Sequence, residues 1–409
     1  MVLKTFKKNR VIRSVDVDYS RLVLLVFAKL TIFAVGLVDK KKDMVDFLTK
    51  RVDFLLTIFT CLMLIPGRLH AETDAEDYLV VNRLTRQSGL PDQDVNRIYF
   101  DSKGYAWIST FGGGLVRYDG DAFIKFSAKT DPAFVNDFVN QCGEDAYGRL
   151  WVPTAGGMII VDLKTLSLVD ALPGMSRAWR YAHSPGDVNR DANGCMWFVS
   201  DDYLFRVGFA DEGNRVVIDS LHCNVSNASL MSRIEDVDED GSAWITLGGH
   251  LFKVRHLADR GLTLSAILPG IDIGEDNKAT AFLRTGNEVW IGTLKGLFRV
   301  NVASGKSESF FHSESDRHSL PNDEITGLCL SPEGEVVVGT LGGISVYQTA
   351  EHTFDNYGSH PNAFGNALLP GEMVRSLVTR DRQLWVGLEA EGLAILQRKP
   401  LQITNLSRI

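Results

Sequence analysis

The stretch Asp101-Ser-Lys-Gly-Tyr-Ala-Trp107-Ile-Ser-Thr110 recurs along the chain and decides its fold. It combines an Asp-x-x-Gly turn with a short strand that carries a Trp and ends in Thr or Ser. Six related copies place the equivalent strand position at Trp151, Trp197, Trp244, Trp290, Val337 and Trp385, so that successive copies lie 44 to 48 residues apart. Self-similarity at a fixed period of this size indicates a repeat architecture with one supersecondary unit per repeat.

Four short strands are predicted in the first copy. They span Val95–Phe100, Ala106–Thr110, Leu115–Tyr118 and residues 122–126, and each is bounded by Gly or Asp and rich in β-branched and aromatic residues. A repeat of about 45 residues with four strands has the size of a propeller blade, and capped helical patterns are nearly absent. The sequence therefore predicts an all-β fold, a seven-bladed β-propeller of four-stranded antiparallel blades spanning residues 72–400.

The recurrent Trp is predicted to pack between neighbouring blades, because a single blade cannot bury both of its faces. Val337 replaces it in blade six, where a looser contact is expected. Two segments compete for the outer strand of blade seven, Tyr78–Leu84 and residues 401–406. Tyr78–Leu84 is favoured because it precedes Gly89-Leu-Pro91 as other outer strands precede similar loops. Residues 401–409 are then a connector, or the closing strand if Tyr78–Leu84 is not.

The first seventy residues differ from the repeats. A dozen apolar residues at 54–65 are too few to span a bilayer, and they follow Lys50 and Arg51 and precede Pro66-Gly67. This order is typical of a secretory signal, so residues 44–71 are predicted to be a signal peptide, with cleavage after Ala71 and a periplasmic location for the propeller. Residues 1–43 are interpreted as an upstream extension or as a membrane anchor centred on the apolar run 22–38.

Composition excludes some function classes. The formal net charge of −8 argues against nucleic-acid binding, which needs a basic face. Four cysteines of the propeller are too widely spaced for a zinc site or a dense disulfide scaffold, and they are predicted to be buried free thiols: Cys142, Cys195, Cys223 and Cys329.

Candidate metal and catalytic motifs are weak. Asp236-Val-Asp238-Glu-Asp240-Gly241 matches the first half of a calcium loop, but Leu247 stands where the closing Glu is needed. Asp187-Val-Asn189-Arg-Asp191 has the same defect. Nucleophile elbows, phosphate loops and HExxH helices are missing, and the histidines lack metal-ligand spacing. The sequence predicts no enzyme, no cofactor and no metal.

One face of the predicted propeller carries the candidate binding site. The loops between blades and the turns joining the second and third strands of each blade share this upper face. In blade three, Arg177-Ala-Trp179-Arg180-Tyr181-Ala-His183 replaces a short Leu-Pro loop, and Asp201-Asp202-Tyr203 replaces a Gly-Gly turn. Aromatic faces beside charged groups suit sugars or anionic oligomers.

The predicted ligand-binding residues are Trp179, Arg180, Tyr181, His183, Asp201, Asp202 and Tyr203, with Phe111 and Lys295 in the corresponding turns of blades one and five. The alternative is that Trp179 merely packs between blades and that the charges are solvated.

The first repeat resembles the two-component regulator propeller repeat. The resemblance rests on Gly89-Leu-Pro91, Val95, Ile98, Asp101, Gly104, Trp107-Ile-Ser-Thr110, Gly114-Leu115 and Arg117-Tyr118, and it extends over residues 78–400. It implies the periplasmic sensor of a hybrid two-component system, which frequently binds oligosaccharides and signals through the membrane to a kinase.

Members of this family usually continue into further blades, an immunoglobulin-like domain, a membrane span and an output domain. The expectation for this chain is a sensory module without its output domain, which takes a small-molecule or oligosaccharide ligand and partners a membrane kinase or a second sensor chain. Two alternatives stay open: a propeller lyase or hydrolase acting on polysaccharide, and a protein-docking scaffold.

Overall fold

Seven short antiparallel sheets follow one another along the chain, and each is formed mainly by one copy of the repeat. A computed structural model describes residues 78–398 except 171, 184, 201, 224–232, 238–239, 248–249, 258, 267–276 and 360–365. The predicted signal peptide, the predicted anchor and residues 401–409 lie outside the described residues.

Within blades one to five, neighbouring strands pair antiparallel in the order of the chain, and blades six and seven depart from this order only at their outer edge. Blades one and two contain β2 (Val95–Phe100), β3 (Ala106–Thr110), β4 (Leu115–Tyr118), β5 (Phe123–Phe126), β6 (Gly143–Glu144), β7 (Arg149–Thr154), β8 (Gly157–Asp162) and β9 (Ser167–Leu168). Blades three and four contain β10 (Val188–Arg190), β11 (Met196–Ser200), β12 (Tyr203–Ala210), β13 (Arg215–His222), β14 (Arg233–Val237), β15 (Ala243–Leu247), β16 (His250–Leu257) and β17 (Gly261–Ala266).

Blade five contains β18 (Ala279–Thr285), β19 (Glu288–Thr293), β20 (Gly296–Asn301) and β21 (Ser307–Phe310). Blade six contains β22 (Ile325–Leu330), β23 (Val336–Thr340), β24 (Gly343–Gln348), β25 (Thr353–Gly358) and a short parallel addition, β26 (Asn366–Ala367). Blade seven contains β27 (Val374–Arg380), β28 (Gln383–Leu388), β29 (Gly392–Arg398) and β1 (Tyr78–Leu84).

The predicted fold class is confirmed: the chain is a seven-bladed β-propeller of four-stranded antiparallel blades. The four strands predicted in blade one agree with the structure, except that the outer strand begins at Phe123 rather than one residue earlier. The first strand of each blade lies innermost, since these strands contact one another between blades, as β2 contacts β27 and β22 contacts β27.

The recurrent Trp packs between blades, as predicted. Trp107, Trp151 and Trp197 are fully buried, and each belongs to an apolar cluster shared with the following blade. Trp385 of blade seven packs in the cluster of blade one, which carries the same contact across the closure of the ring. Val337 is also completely buried, so the smaller side chain leaves no solvent-exposed gap.

The Asp of the repeated turn binds the Trp of the same blade. The indole Nε1 of Trp107 donates a hydrogen bond of 2.8 Å to Oδ2 of Asp101, while Oδ1 accepts from the backbone N–H groups of Lys103 and Tyr105. The pairs Trp151–Asp145 and Trp197–Asp191 repeat the indole bond at 2.9 and 2.8 Å. One buried carboxylate therefore holds both the hairpin turn and the packing residue, which explains why the Asp and the Trp of each pair stand six residues apart.

Blade seven closes the ring with strands from both ends of the described chain. β1 pairs antiparallel with β29, from Tyr78 opposite Arg398 to Leu84 opposite Leu393. The predicted closure by Tyr78–Leu84 is confirmed. Gly392 begins β29 with a φ of +80°, and a Cβ there would lie 2.2 Å from the carbonyl oxygen of Leu84, so only glycine fits against the closing strand.

The prediction of buried free thiols is confirmed for Cys142, Cys195 and Cys223, whereas Cys329 is a free thiol that is only partly buried. Burial raises the pKa of the Cys142 thiol to about 12, so this group is not a reactive thiolate at neutral pH.

Replacing the turn carboxylate is expected to loosen a blade. Asp101→Ala leaves the buried indole N–H of Trp107 without its acceptor and removes two turn hydrogen bonds, so the free energy of unfolding should fall by about 1–3 kcal/mol. Urea unfolding of the purified protein measures this change. Asp121→Ala, an exposed carboxylate in the same blade, is the matched control and should change stability by less than about 0.5 kcal/mol. Equal effects of the two substitutions would contradict the role assigned to Asp101.

Tyr78 of the closing strand should make the free energy of unfolding depend on pH in the alkaline range. Burial raises the pKa of Tyr78 from its ordinary value of 10.0 to about 12. As pH rises through this window, the unfolded chain loses the phenolic proton first, so the free energy of unfolding falls; below the window both states keep the proton and the effect vanishes. Tyr78→Phe should reduce the loss of stability between about pH 10 and 12. If Tyr78→Phe loses as much stability as the unmodified protein between about pH 10 and 12, Tyr78 is not the source of the pH dependence.

Candidate ligand-binding site

A single helical turn, α1 (Arg177–Ala182), builds the blade-three side of the upper face. Pro173-Gly174 turns the chain after blade two, and the Ser176 side chain caps the helix by accepting a 3.0 Å hydrogen bond from the Trp179 backbone N–H. Gly157 of β8 lies under this turn, where a Cβ would approach the Tyr181 Cα to 2.6 Å. The close approach seats α1 directly on blade two.

Trp179 and His183 form an aromatic cluster with blade three. Their rings stack with centroids 4.3 Å apart, and the His183 Nδ1 lies 2.7 Å from the Trp179 carbonyl oxygen. Both rings meet Phe205 edge-on, at 5.4 Å from Trp179 and 4.9 Å from His183. Trp179 also packs against the apolar cluster between blades two and three, so it has a structural role there.

Tyr203 extends this cluster towards solvent. Its ring stacks on Phe205 at 6.0 Å and contacts the His222 ring at 4.9 Å, and 42% of the residue is exposed. Asp202 precedes it and uses its backbone carbonyl to accept from the Cys223 N–H at 2.8 Å. Asp201 lies outside the described residues.

Arg180 and Tyr181 are tied to the scaffold. Arg180 is only 2% exposed, and its Nη2 donates a 2.7 Å hydrogen bond to the Asp170 carbonyl oxygen. Burial lowers the pKa of the Arg180 guanidinium. The Tyr181 hydroxyl donates to the Ala133 carbonyl oxygen at 3.3 Å and accepts from Arg177 Nε at 3.0 Å. These contacts bind Arg180 to the end of blade two and Tyr181 to the loop before blade two.

Phe111 and Lys295 lie in other blades of the same face. Phe111 packs edge-on against Phe138 at 4.8 Å, and the Arg375 guanidinium lies 5.4 Å from the Phe111 ring centroid. Lys295 is exposed in the turn after β19. The structure thus joins Trp179, His183 and Tyr203 through Phe205, whereas Phe111 packs with Phe138 and Arg375, and Lys295 lies in blade five.

A cavity of about 250 Å³ among the inner strands was missed by the sequence analysis. Its polar walls come from six blades and comprise Arg97, Gln141, Asp187, Thr280, Thr326, Arg375 and Ser376. Apolar side chains, including Ile98 and Leu328, complete the lining. One sequence signal could have revealed it: Arg97, Gln141, Asp187, Thr280 and Arg375 each stand ten residues before the Trp of their blade.

Charged groups concentrate at the start of the inner strands in this cavity. Arg97 lies in an ion pair with Asp187, whose Oδ1 is 4.0 Å from its Nε, and donates to the backbone carbonyls of Asn96 and Arg375 at 2.9 and 3.0 Å. Arg375 forms a close ion pair with Glu389. Since His183 lies four residues before Asp187, the aromatic cluster and the cavity lie on the same interblade connection.

Of the two weak calcium-loop motifs, the one at residues 236–241 lies partly outside the described residues, and the other has a different role for its Asp191. Asp191 accepts from the Trp197 indole and from the Cys195 N–H, so its carboxylate serves the hairpin turn. No group of three or more His, Cys, Asp or Glu side chains with metal-binding geometry occurs in the part of the chain that the structure describes. The helices of that part are all too short or too polar to cross a lipid bilayer.

Solved propellers of two functional classes share this fold. The extracellular domain of a putative hybrid two-component system from B. thetaiotaomicron has a TM-score of 0.59 at 16% identity, covering 80% of this chain and 40% of that one. A second such domain from the same organism gives 0.57 at 19%, covering 79% and 42%. Virginiamycin B lyase from Staphylococcus aureus gives 0.57 at 13%, covering 79% and 100%. The chain therefore spans less than half of the two sensor domains, and the shared fold does not distinguish sensor from lyase.

The repeat itself is more specific than the fold. Residues 89–112 match the family described as two component regulator propeller. No curated protein sequence matches the chain significantly. The architecture is a seven-bladed β-propeller, and its blade-one repeat is a two-component regulator propeller repeat, as recognised from the sequence motifs.

The burial of Arg180 leads to a stability prediction. Arg180→Ala removes buried packing and the bond to Asp170, and should lower the free energy of unfolding by about 1–3 kcal/mol. Arg177→Ala, on the same helix with half of its side chain exposed, should cost no more than about 1 kcal/mol. Thermal and urea unfolding of both variants measure this difference. Unchanged stability of Arg180→Ala would show that the guanidinium is not part of the scaffold.

Proposed function

We propose that this protein is an extracellular, periplasmic sensor module of a two-component-type signalling system that captures an oligosaccharide on the upper face of blade three. The observation that carries the proposal is the two-component regulator propeller repeat at residues 89–112. The fold shared with extracellular domains of putative hybrid two-component systems supports it.

The aromatic cluster supports the choice of ligand. Trp179, His183 and Tyr203 converge on Phe205, and Tyr203 carries the cluster out to solvent. Aromatic residues with one polar end suit ligands that combine apolar faces with hydroxyl groups, as sugar rings do. Because Trp179 also packs against the blade, its ring is held in place before ligand binds, which lowers the ordering cost of binding.

The proposed role requires an output partner. We infer a membrane kinase or a second sensor chain, because a propeller that binds a ligand outside the cell must pass that information to another domain. The shared propeller fold of virginiamycin B lyase gives the alternative of an enzyme, whose signature would be turnover of the ligand rather than stable binding.

Thermal unfolding across a panel of neutral and acidic oligosaccharides tests the sensor proposal. A ligand at a hundred times its dissociation constant should stabilise the protein by about 2.7 kcal/mol. Tyr203→Ala should reduce this shift for the active glycan with little loss of basal stability, since its side chain is largely exposed. Trp179→Ala should abolish the shift and also lower basal stability.

Tyr147→Ala is the matched control, because Tyr147 is a comparably exposed aromatic residue, 46% against 42%, in a lower hairpin turn of blade two. It should leave the glycan shift intact. A cooperatively melting protein that no glycan stabilises would overturn the oligosaccharide proposal and favour a protein-docking scaffold. Release of new reducing ends from the active glycan would instead favour the enzyme.

A further inference from the structure

We propose that the cavity among the inner strands is a second binding site, independent of the blade-three cluster, for a small hydroxylated carboxylate such as a single sugar acid. Arg97 and Arg375 would receive the carboxylate, and the neutral polar groups of the wall would receive the hydroxyls. This proposal does not rest on the proposed function, because it concerns other residues and another ligand size.

The size of the cavity selects a small ligand. Its volume of about 250 Å³ equals the space of roughly eight water molecules in the liquid. Pockets for drug-sized ligands start near about 300 Å³. One ring-sized polar molecule therefore fills a cavity of this volume.

The charge of the wall selects an anion. Two guanidinium groups and one carboxylate, those of Arg97, Arg375 and Asp187, line the cavity among the described residues. Glu389, which pairs with Arg375, is not part of the lining. The planar fork of an arginine matches a carboxylate with two parallel hydrogen bonds. Because Arg375 already pairs with Glu389, whereas the pair of Arg97 with Asp187 is long at 4.0 Å, Arg97 is the main anion ligand in the proposal and Arg375 the second.

Arg97 is oriented for binding before a ligand arrives. The carbonyl oxygens of Asn96 and Arg375 accept from its Nη1, which fixes the guanidinium between blades one and seven. The side chain is only 19% exposed, so water screens its charge weakly. A preorganised, partly buried cation of this kind binds an anion at a lower entropic cost than a flexible surface lysine.

Neutral polar groups face the same space. Gln141 and Ser376 contribute an amide and a hydroxyl to the wall, and Thr326 lies beside them with its own hydroxyl oxygen buried and without a hydrogen-bond partner among the described residues, so a ligand would reach it only after the side chain rotates. A buried hydroxyl without a partner is costly, so a ligand hydroxyl within its reach would be stabilised. Ile98 and Leu328 offer apolar contact for a carbon skeleton. The combination fits a carboxylate that also carries hydroxyl groups.

Calorimetric titration of the full chain with galacturonate, gluconate and lactate tests the proposal, with galactose as the neutral match for galacturonate. At least one carboxylate should bind, and galactose should bind at least about tenfold more weakly than galacturonate if galacturonate is the ligand. Arg375→Gln should weaken carboxylate binding about tenfold or more. Arg190→Gln, an exposed arginine outside the cavity lining, is the control and should leave affinity unchanged.

Asp187→Asn is the most discriminating variant, because the proposal predicts that it increases the affinity for carboxylates. Removing the negative charge beside Arg97 should tighten carboxylate binding several-fold, whereas a site for a neutral sugar or an ammonium group would lose affinity. Weaker carboxylate binding in Asp187→Asn, or no binding of any of the three anions up to about 10 mM by a folded protein, overturns the proposal.

The two sites are separated by one further variant. Tyr203→Ala should leave carboxylate binding unchanged, since Tyr203 does not line the cavity. Loss of carboxylate binding in this variant would place the anion at the blade-three cluster and overturn the independent site. The thermal-unfolding test with glycans and the calorimetric test with carboxylates can therefore fail separately.

Discussion

One buried hydrogen bond organises the propeller. It joins the Asp of a hairpin turn to the Trp of the strand that follows the turn. In blades one to three, a single carboxylate accepts from the turn backbone and from the indole N–H, at 2.8 to 2.9 Å for the indole. Without this acceptor, the cost of burying the indole N–H would offset the free energy that the buried apolar surface of the Trp contributes. Turn geometry and interblade packing are thus coupled inside every blade that contains the pair.

Most of the fold was predictable from the sequence because each blade is one copy of the same repeat. The seven strand positions, the four strands of blade one and closure by Tyr78–Leu84 all follow from matching one repeat to the next. The Asp–Trp bond itself was not predicted, since spacing identifies Asp101 as a turn residue without showing where its second oxygen points. The looser contact expected at Val337 stays a prediction, since the structure shows the residue fully buried in the cluster shared by blades six and seven.

The candidate sites were less predictable for a physical reason. An unusual loop can be recognised by contrast with its equivalents, which is why Trp179, His183 and Tyr203 could be singled out. The direction of each side chain depends on packing that no repeat determines, and Arg180 is buried although its neighbour Arg177 is exposed. The inner-strand cavity is assembled from between one and four residues of each of six blades, so no local stretch of sequence resembles a site.

The pairing of β1 with β29 has a mechanical consequence. Tyr78, the first residue of β1, lies opposite Arg398, the last residue of β29, so the two strands leave the blade at the same end of their shared ladder. Tension applied between these ends would load the hydrogen bonds one after another, as in opening a zipper, rather than all at once in shear. Ring opening under force should therefore start at the Tyr78–Arg398 pair and proceed towards Leu84.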